Sequence, residues 1–259
     1  LPLDWLLRRQ THSASGKQWP AILYALLLVG GLIFSSVDTF HDFFITWGTD
    51  PGLYTHYNVG VAEIGKYVAA LPDTETIYIS PTWLDHSVLK LHSNNREGIH
   101  GYNGRHCFVY PQITKTDTSF IIVPGDEQNS LPLLQSYFPQ GHVAHAGYTG
   151  DGKLYYTAYQ IPPNSPAQFQ PQQPLSANWN NELGILGYDI SGNEFKAGDT
   201  ITVNLYFQSL ANMSSNYTAF LHLLGAPNPG TGSPLWAQVD REPCFQSYAT
   251  SWWQTGEVI

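Results

Sequence analysis

Residues 19–37 read WPAILYALLLVGGLIFSSV, nineteen positions without a charged side chain. At about 1.5 Å of rise per helical residue, such a run matches the ~30 Å hydrocarbon core of a bilayer. Its apolar residues surround the helix axis instead of striping one side, and Pro20 sits where a first helical turn accepts proline. These features favour a membrane-spanning helix over a buried core helix. A cleaved signal peptide is the other alternative, with a basic start, an apolar core of about 7–15 residues and a small-residue cleavage site. Ser35-Ser36 resembles such a site, but Leu1–Leu7 is an unusual beginning for one.

Charge orients the helix. Residues 1–18 hold Arg8, Arg9 and Lys17 against Asp4, a net of +2, and read as a cytoplasmic flank or the end of a preceding membrane segment. From Asp38 onward there are eight Lys/Arg and nineteen Asp/Glu, a net of −11, which with +2 gives the chain's −9. Basic flanks stay in the cytoplasm, so residues after about 38 are expected on the extracytoplasmic side of the cell membrane. Residues 38–52 follow as an interfacial aromatic segment, in which Phe40, Phe43, Phe44 and Trp47 recur at helical spacing and suit the headgroup layer. The chain starts on Leu1, its only methionine is Met213, and it stops on the strand-like Glu257-Val258-Ile259. Both ends read as cut, so a fragment of a longer membrane protein is expected.

The remainder is low in charge and rich in aromatics, Pro and Gly, a composition of folded, loop-rich and strand-rich protein. Its acidic balance argues against nucleic acid as a partner. Residues 53–161 alternate helix and strand patterns. A helix is expected from Tyr57 to Ala70, a strand at Thr76–Ser80, a helix over 82–91 and a strand segment at Phe108–Tyr110. A buried strand follows at Ser119–Val123, a helix over 129–137, and a hairpin turning at Asp151-Gly152. This is the pattern of a small α/β domain. Residues 162–176, PPNSPAQFQPQQPLS, read as a Pro/Gln-rich linker. Residues 177–259 then show strand patterns with no helix between them: Leu183–Asp189, Ile201–Gln208, Tyr217–Leu224 and Leu235–Val239. An antiparallel β-sandwich module, truncated at its end, is the expectation. The fold class is thus a transmembrane helix, a small α/β domain and a C-terminal antiparallel β-sandwich, α+β and multidomain overall.

The densest polar constellation is residues 91–110, LHSNNREGIHGYNGRHCFVY, preceded by Asp85-His86. Asp85, His86, Arg96, His100, Tyr102, Arg105 and His106 are candidate substrate-binding residues, because glycines let a loop approach a ligand and Arg clamps phosphate. An ordinary surface loop is the competing reading, and no phosphate-binding glycine signature is present. Trp252 and Trp253 are candidate sugar-stacking residues, against core packing as the plainer role. His142 and His145 lack the context of a metal pair, and no metal or cofactor is expected. No nucleophile elbow or carboxylate pair is nominated. Cys107 and Cys244 either pair in an oxidising compartment or remain separate buried thiols. Asn212 and Asn216 begin glycosylation triplets.

Two stretches carry a family resemblance. TFHDFFITWGTDPG (residues 39–52) is similar to the F-x-D-[FY]-F-x-x-W-x-x-x-P pattern after the last spans of bacterial membrane glycosyltransferases of the protein O-mannosyltransferase and aminoarabinose-transferase type. NVGVAEIGKYVAAL (residues 58–71) resembles the helix that follows. Leu186-Gly187-Tyr188, Asp240, Pro243, Tyr248, Thr250, Trp252 and Gly256-Glu257 resemble a β-sandwich module appended to some such enzymes. The resemblance implies a polytopic enzyme that transfers a sugar from a polyprenyl-phosphate donor to a glycan or protein acceptor on the extracytoplasmic face, in contact with membrane lipid. The family's catalytic acidic residue lies in its first outer loop. Nothing in this sequence matches that loop, so no catalytic residue is carried over. A single-span surface protein that binds glycans or protein partners without catalysis is the alternative, and a secreted hydrolase behind an anchor is a third.

Overall fold

The computed structural model describes residues 19–112 and 115–259, so the flank expected over 1–18 lies outside the described residues. Two compact units are present, one ending at Leu53 and one running from Tyr54 to Ile259. In the first, Trp19–Phe40 is an α-helix (α1) that continues as a π-helical segment, His41–Trp47. Trp19–Trp47 is one helix of 29 residues, long and apolar enough to cross a membrane, and no part of its apolar window is buried. A soluble core helix would bury most of that window, so this helix does not fill a core. In its last turns the Phe40–Phe44 and Phe43–Trp47 ring centroids both lie 4.9 Å apart, which gathers the aromatics of the expected interfacial segment.

The second unit is built on a five-stranded sheet of order β2-β1-β3-β5-β4. β1 (Thr76–Ser80) pairs in parallel with both β2 (Ile99–Gly101) and β3 (Thr118–Ile122). The hairpin of β4 (His142–Tyr148) and β5 (Leu154–Ile161) adds antiparallel to β3. Gly152 takes φ +80° at the hairpin turn, a conformation glycine adopts without steric cost, and its N–H donates to Thr149 O at 2.8 Å.

Period-two alternation explains why both faces of this sheet are dry. Ile77, Ile79, Ile121, Val123 and Ala158 face α2 (Val59–Ala70) and α3 (Ser87–His92), where Val61, Ile64, Val68 and Leu89 are buried against them. Tyr78, Phe120, Ile122, Tyr159 and Ile161 point the other way. There they join Leu134, within α4 (Ser130–Tyr137), Phe138 just after it, and Tyr248, Trp253, Val258 and Ile259 from the C-terminal stretch. Tyr78 and Phe120 stack at 4.8 Å. Truncating a fully buried Phe or Trp in such a layer costs about 3–5 kcal/mol.

The remaining strands form two smaller sheets. β6 (Gln173–Trp179), β7 (Leu183–Ile190) and β8 (Val203–Ser209) make one in that order, and β9 (Ala219–Leu224) pairs with β10 (Leu235–Arg241) in the other. Val258 exchanges hydrogen bonds with Tyr110 at 2.7 and 3.0 Å, and Ile259 with Phe207 at 2.8 Å each way. The last residues therefore bridge the loop after β2 to strand β8. Residues 54–259 thus combine α/β elements and several sheets in one compact unit with a continuous core across residues 162–176. The stretch expected as a linker is itself docked: Phe169 stacks on Tyr206 at 5.4 Å, and Gln168 N–H donates to Tyr137 O at 2.7 Å.

Three local expectations need correction. The helix over 82–91 starts only at Ser87, because Trp83–His86 forms a turn and His86 Nδ1 accepts the Val88 N–H at 3.3 Å, capping the helix. The loop 91–110 contains β2. Phe108–Tyr110 makes one bridge and no ladder, its aromatics packing into the core.

One carboxylate ties the C-terminal stretch to the central strand. Glu257 is 1% exposed, and it accepts hydrogen bonds from Tyr78 OH, from Tyr248 OH at 2.9 Å and from Gln254 N–H at 2.8 Å. Burial raises the Glu257 pKa against the lowering effect of these donors. Burial, followed by the Glu257 charge, holds both Tyr78 and Tyr248 well above the ordinary tyrosine value. An unfolded tyrosine titrates near pH ~10. Above that pH the unfolded chain binds fewer protons than the folded one, so stability falls as pH rises, by up to ~1.4 kcal/mol per tyrosine per pH unit. Below it both states are protonated and these groups contribute no slope. Denaturant titrations from neutral pH upward are expected to show a midpoint that falls steeply above pH ~10, with tyrosinate absorbance of the core residues appearing together with unfolding. Tyrosinate absorbance from all the tyrosines in the still-folded chain would contradict the buried network.

Candidate functional site

The C-terminal ends of β1 and β3 hold the loop that follows β2. Gly104 N–H donates to Ser80 Oγ at 2.9 Å, and Ser80 Oγ donates in turn to Glu127 Oε2 at 3.4 Å. The Glu127 carboxylate, 1% exposed, also accepts the N–H groups of Asn129 and Ser130 at the start of α4. A Cβ on Gly104 would come within 2.2 Å of Ser130 Oγ and 2.5 Å of Glu127 Cδ, so only glycine fits this approach. Tyr102, fully buried, donates from its hydroxyl to Ser130 Oγ at 3.0 Å. The loop is thereby a fixed element of the scaffold.

From this anchored loop Cys107 reaches Cys244 in a disulfide that spans a sequence separation of 137. Asn103 N–H donates to Ser247 Oγ at 3.2 Å alongside it. Cys244, Phe245 and Gln246 all have φ between +49° and +64°, the left-handed region. Three consecutive non-glycine residues there cost roughly 1–2 kcal/mol each. The turn is secured by the disulfide and by Ser247, whose N–H and Oγ both donate to Cys244 O, at 3.0 and 2.7 Å. It presents Phe245 between the His106 ring, 4.3 Å away centroid to centroid, and the Arg241 guanidinium, 3.8 Å from the ring centre.

A cleft of about 650 Å³ opens at this point. Its walls carry Tyr110, Tyr137, Leu205, Leu221, Val239 and Ile259, with the amides of Gln128, Asn129 and Asn204 among them. Arg105, Arg241 and Glu242 supply its charged groups, beside the His106 imidazole. The volume lies within the range of about 300–1,000 Å³ typical of small-molecule sites.

Of the residues nominated from sequence, the structure brings Arg105 and His106 to this cleft. The others serve elsewhere. The Arg96 guanidinium donates to the carbonyls of Val68 and Leu71, both at 2.8 Å, and to those of Pro72 and Glu75, so it closes the C-terminal end of α2 and the turn after it. Asp85 pairs with Lys90 at 2.9 Å on the surface, and His86 caps α3. His100 lies against the Tyr78 ring at 5.2 Å and is lowered in pKa by burial. Tyr102 is sealed in the core. Trp253 is 1% exposed and donates its indole N–H to Tyr248 O at 2.9 Å, so it is a packing residue with no face open to a sugar. Trp252 is 52% exposed. His145 stacks on Tyr67 at 4.7 Å, and among the described residues no cluster suited to a metal ion is found.

Arg241, Phe245, Gln128, Asn129 and Asn204 were not singled out from sequence. The signal that points to Arg241 and Phe245 is the cysteine pair. Arg105-His106 precede Cys107, and Arg241 and Phe245 flank Cys244, so joining the two thiols brings these neighbours together. Comparison with protein-family models, curated proteins and solved structures finds no match.

The disulfide is expected to dominate the stability of this region. Closing a loop of this length removes about 3–5 kcal/mol of unfolded-state freedom. Cys107→Ser with Cys244→Ser, or reduction of the native chain, is expected to lower the stability read from urea unfolding by about that amount. An unchanged midpoint in the reduced chain would contradict the pairing.

Proposed function

We propose that this chain is the non-catalytic C-terminal portion of a membrane glycosyltransferase, one that transfers a sugar from a polyprenyl-phosphate donor on the extracytoplasmic face. Its outer region would shape the acceptor side of the reaction. The observation that carries the orientation is the Cys107–Cys244 disulfide, since such bonds persist in oxidising compartments outside the cytoplasm. It agrees with the independent charge argument, in which the basic residues precede the apolar helix and the acidic bulk follows it. The exposed 29-residue helix supports membrane residence. The aromatic segment 39–52 and the helix 58–71 support the glycosyltransferase family, and the antiparallel strands between Gln173 and Arg241 support an all-β module within it.

In such a transfer an acceptor hydroxyl oxygen bonds to the anomeric carbon as that carbon's bond to the phosphate oxygen breaks. Polyprenyl phosphate leaves, and the hydroxyl proton passes to the family's acidic residue. No residue among 19–259 is assigned that proton. The cleft at Arg105 and Arg241 also favours the second reading, a single-span surface protein that binds glycans and catalyses nothing.

One measurement tests the orientation that both readings share, and a second separates them. Asp50→Cys, probed in intact cells with a membrane-impermeant maleimide, is expected to label without permeabilisation; labelling only after permeabilisation would overturn the orientation. The product of the full gene, supplied with a polyprenyl-phosphate sugar, is expected to release polyprenyl phosphate and glycosylate an acceptor. Correct topology without any transfer would favour the surface-protein reading.

A further inference from the structure

We propose that the cleft lined by Arg105, His106 and Arg241 binds an acidic saccharide, the carboxylate meeting the guanidinium groups and the sugar rings lying on the aromatic and aliphatic walls. As a description of an acceptor this rests on the function proposed above; as a binding site it stands without it.

Charge is the first argument. The chain after Asp38 carries a net of −11 and only eight Lys/Arg, two of which line this one cleft. Among the described residues neither Arg105 nor Arg241 forms an ion pair, whereas Lys90 and Lys153 are each paired with a carboxylate and Arg96 is consumed by four backbone carbonyls. Among the described residues Glu242 is the one acidic side chain on the lining, against two guanidinium groups in an otherwise acidic protein. A guanidinium without a carboxylate partner keeps its forked donors for an incoming carboxylate.

The walls supply the second argument. A lipid tail requires apolar lining throughout. Here the Gln128, Asn129 and Asn204 amides are interspersed with Tyr110, Tyr137 and Leu205, the mixture that hydrogen-bonds hydroxyls while covering C–H faces. Construction is the third. The disulfide and the left-handed turn hold the backbone at Phe245, and the Arg241 guanidinium rests 3.8 Å over that ring, a contact that biases the cation's position before a ligand arrives. Such preorganisation lowers the ordering cost of binding.

Calorimetry on the full chain in detergent, with trigalacturonate, its methyl ester and anionic phospholipid vesicles as probes, tests the proposal. Trigalacturonate is expected to bind, and the uncharged methyl ester at least about tenfold more weakly, the scale of a charged hydrogen bond. Arg105→Gln and Arg241→Gln are each expected to weaken trigalacturonate binding about tenfold, with Lys153→Gln, on the distant hairpin turn, unchanged. Arg241→Lys keeps the charge and is expected to fall between wild type and Arg241→Gln. Should Arg241→Gln fail to fold, Arg105→Gln decides, because that exposed side chain holds no structural contact in the core. Equal binding of acid and ester, no saccharide binding, or Arg241-dependent capture of vesicles alone would each overturn the proposal. Trigalacturonate binding without sugar transfer by the full gene product would remove the enzymatic reading and leave this site standing.

Discussion

Strand β1 sits between two parallel neighbours and must be dry on both sides. Helices cover the Ile77 and Ile79 face; the Tyr78 face has no helix pair of its own and is covered instead by α4 and by residues near the C-terminal end. Much of the second unit follows from that requirement. Trp253, Val258 and Ile259 are drawn onto the sheet, Glu257 is buried against Tyr78 and Tyr248, and β8 is bridged to the Tyr110 segment through the chain's last residues. Strands β7 and β8, the C-terminal stretch and the α/β elements are therefore mutually dependent through one apolar layer.

The candidate site is a by-product of that dependence. Because the C-terminal stretch returns to the sheet, Cys244 lies beside Cys107, and the neighbours of the two cysteines converge. The Ser80–Glu127–Gly104 network makes one side of the cleft rigid, and the left-handed turn at residues 244–246 makes the other. Backbone strain of this kind persists only where its surroundings over-determine it. Here the surroundings are a covalent bond and a serine cap.

Much of this was legible in the sequence where the physics is local. The apolar run at 19–37, the TIYIS and SFIIV strands, the helix ending at Ala70 and the turn at Asp151-Gly152 all rest on periodicity or turn chemistry, and the structure has them. β2 was hidden because three residues, Ile99–Gly101, carry no period. β6 was hidden because QPLSANW is exposed along its whole length and pairs through its backbone alone. The site was harder. A loop rich in Arg and His was visible, but whether a given Arg serves a ligand or four carbonyls depends on contacts far along the chain, and Arg96 and Arg105 are indistinguishable on composition. The shared core was invisible for the same reason, since Tyr78 and Glu257 are separated by 179 residues.

Hydrogen–deuterium exchange at peptide resolution, on the intact disulfide-bonded chain, tests the shared layer directly. Amides of 77–79 and 119–122 and those of 207–209 and 257–259 are expected to open together, with one free energy and one response to denaturant. Rapid exchange of the C-terminal amides while β1 and β3 remain protected would mean that the Tyr78 face is stable uncovered, and would contradict the account.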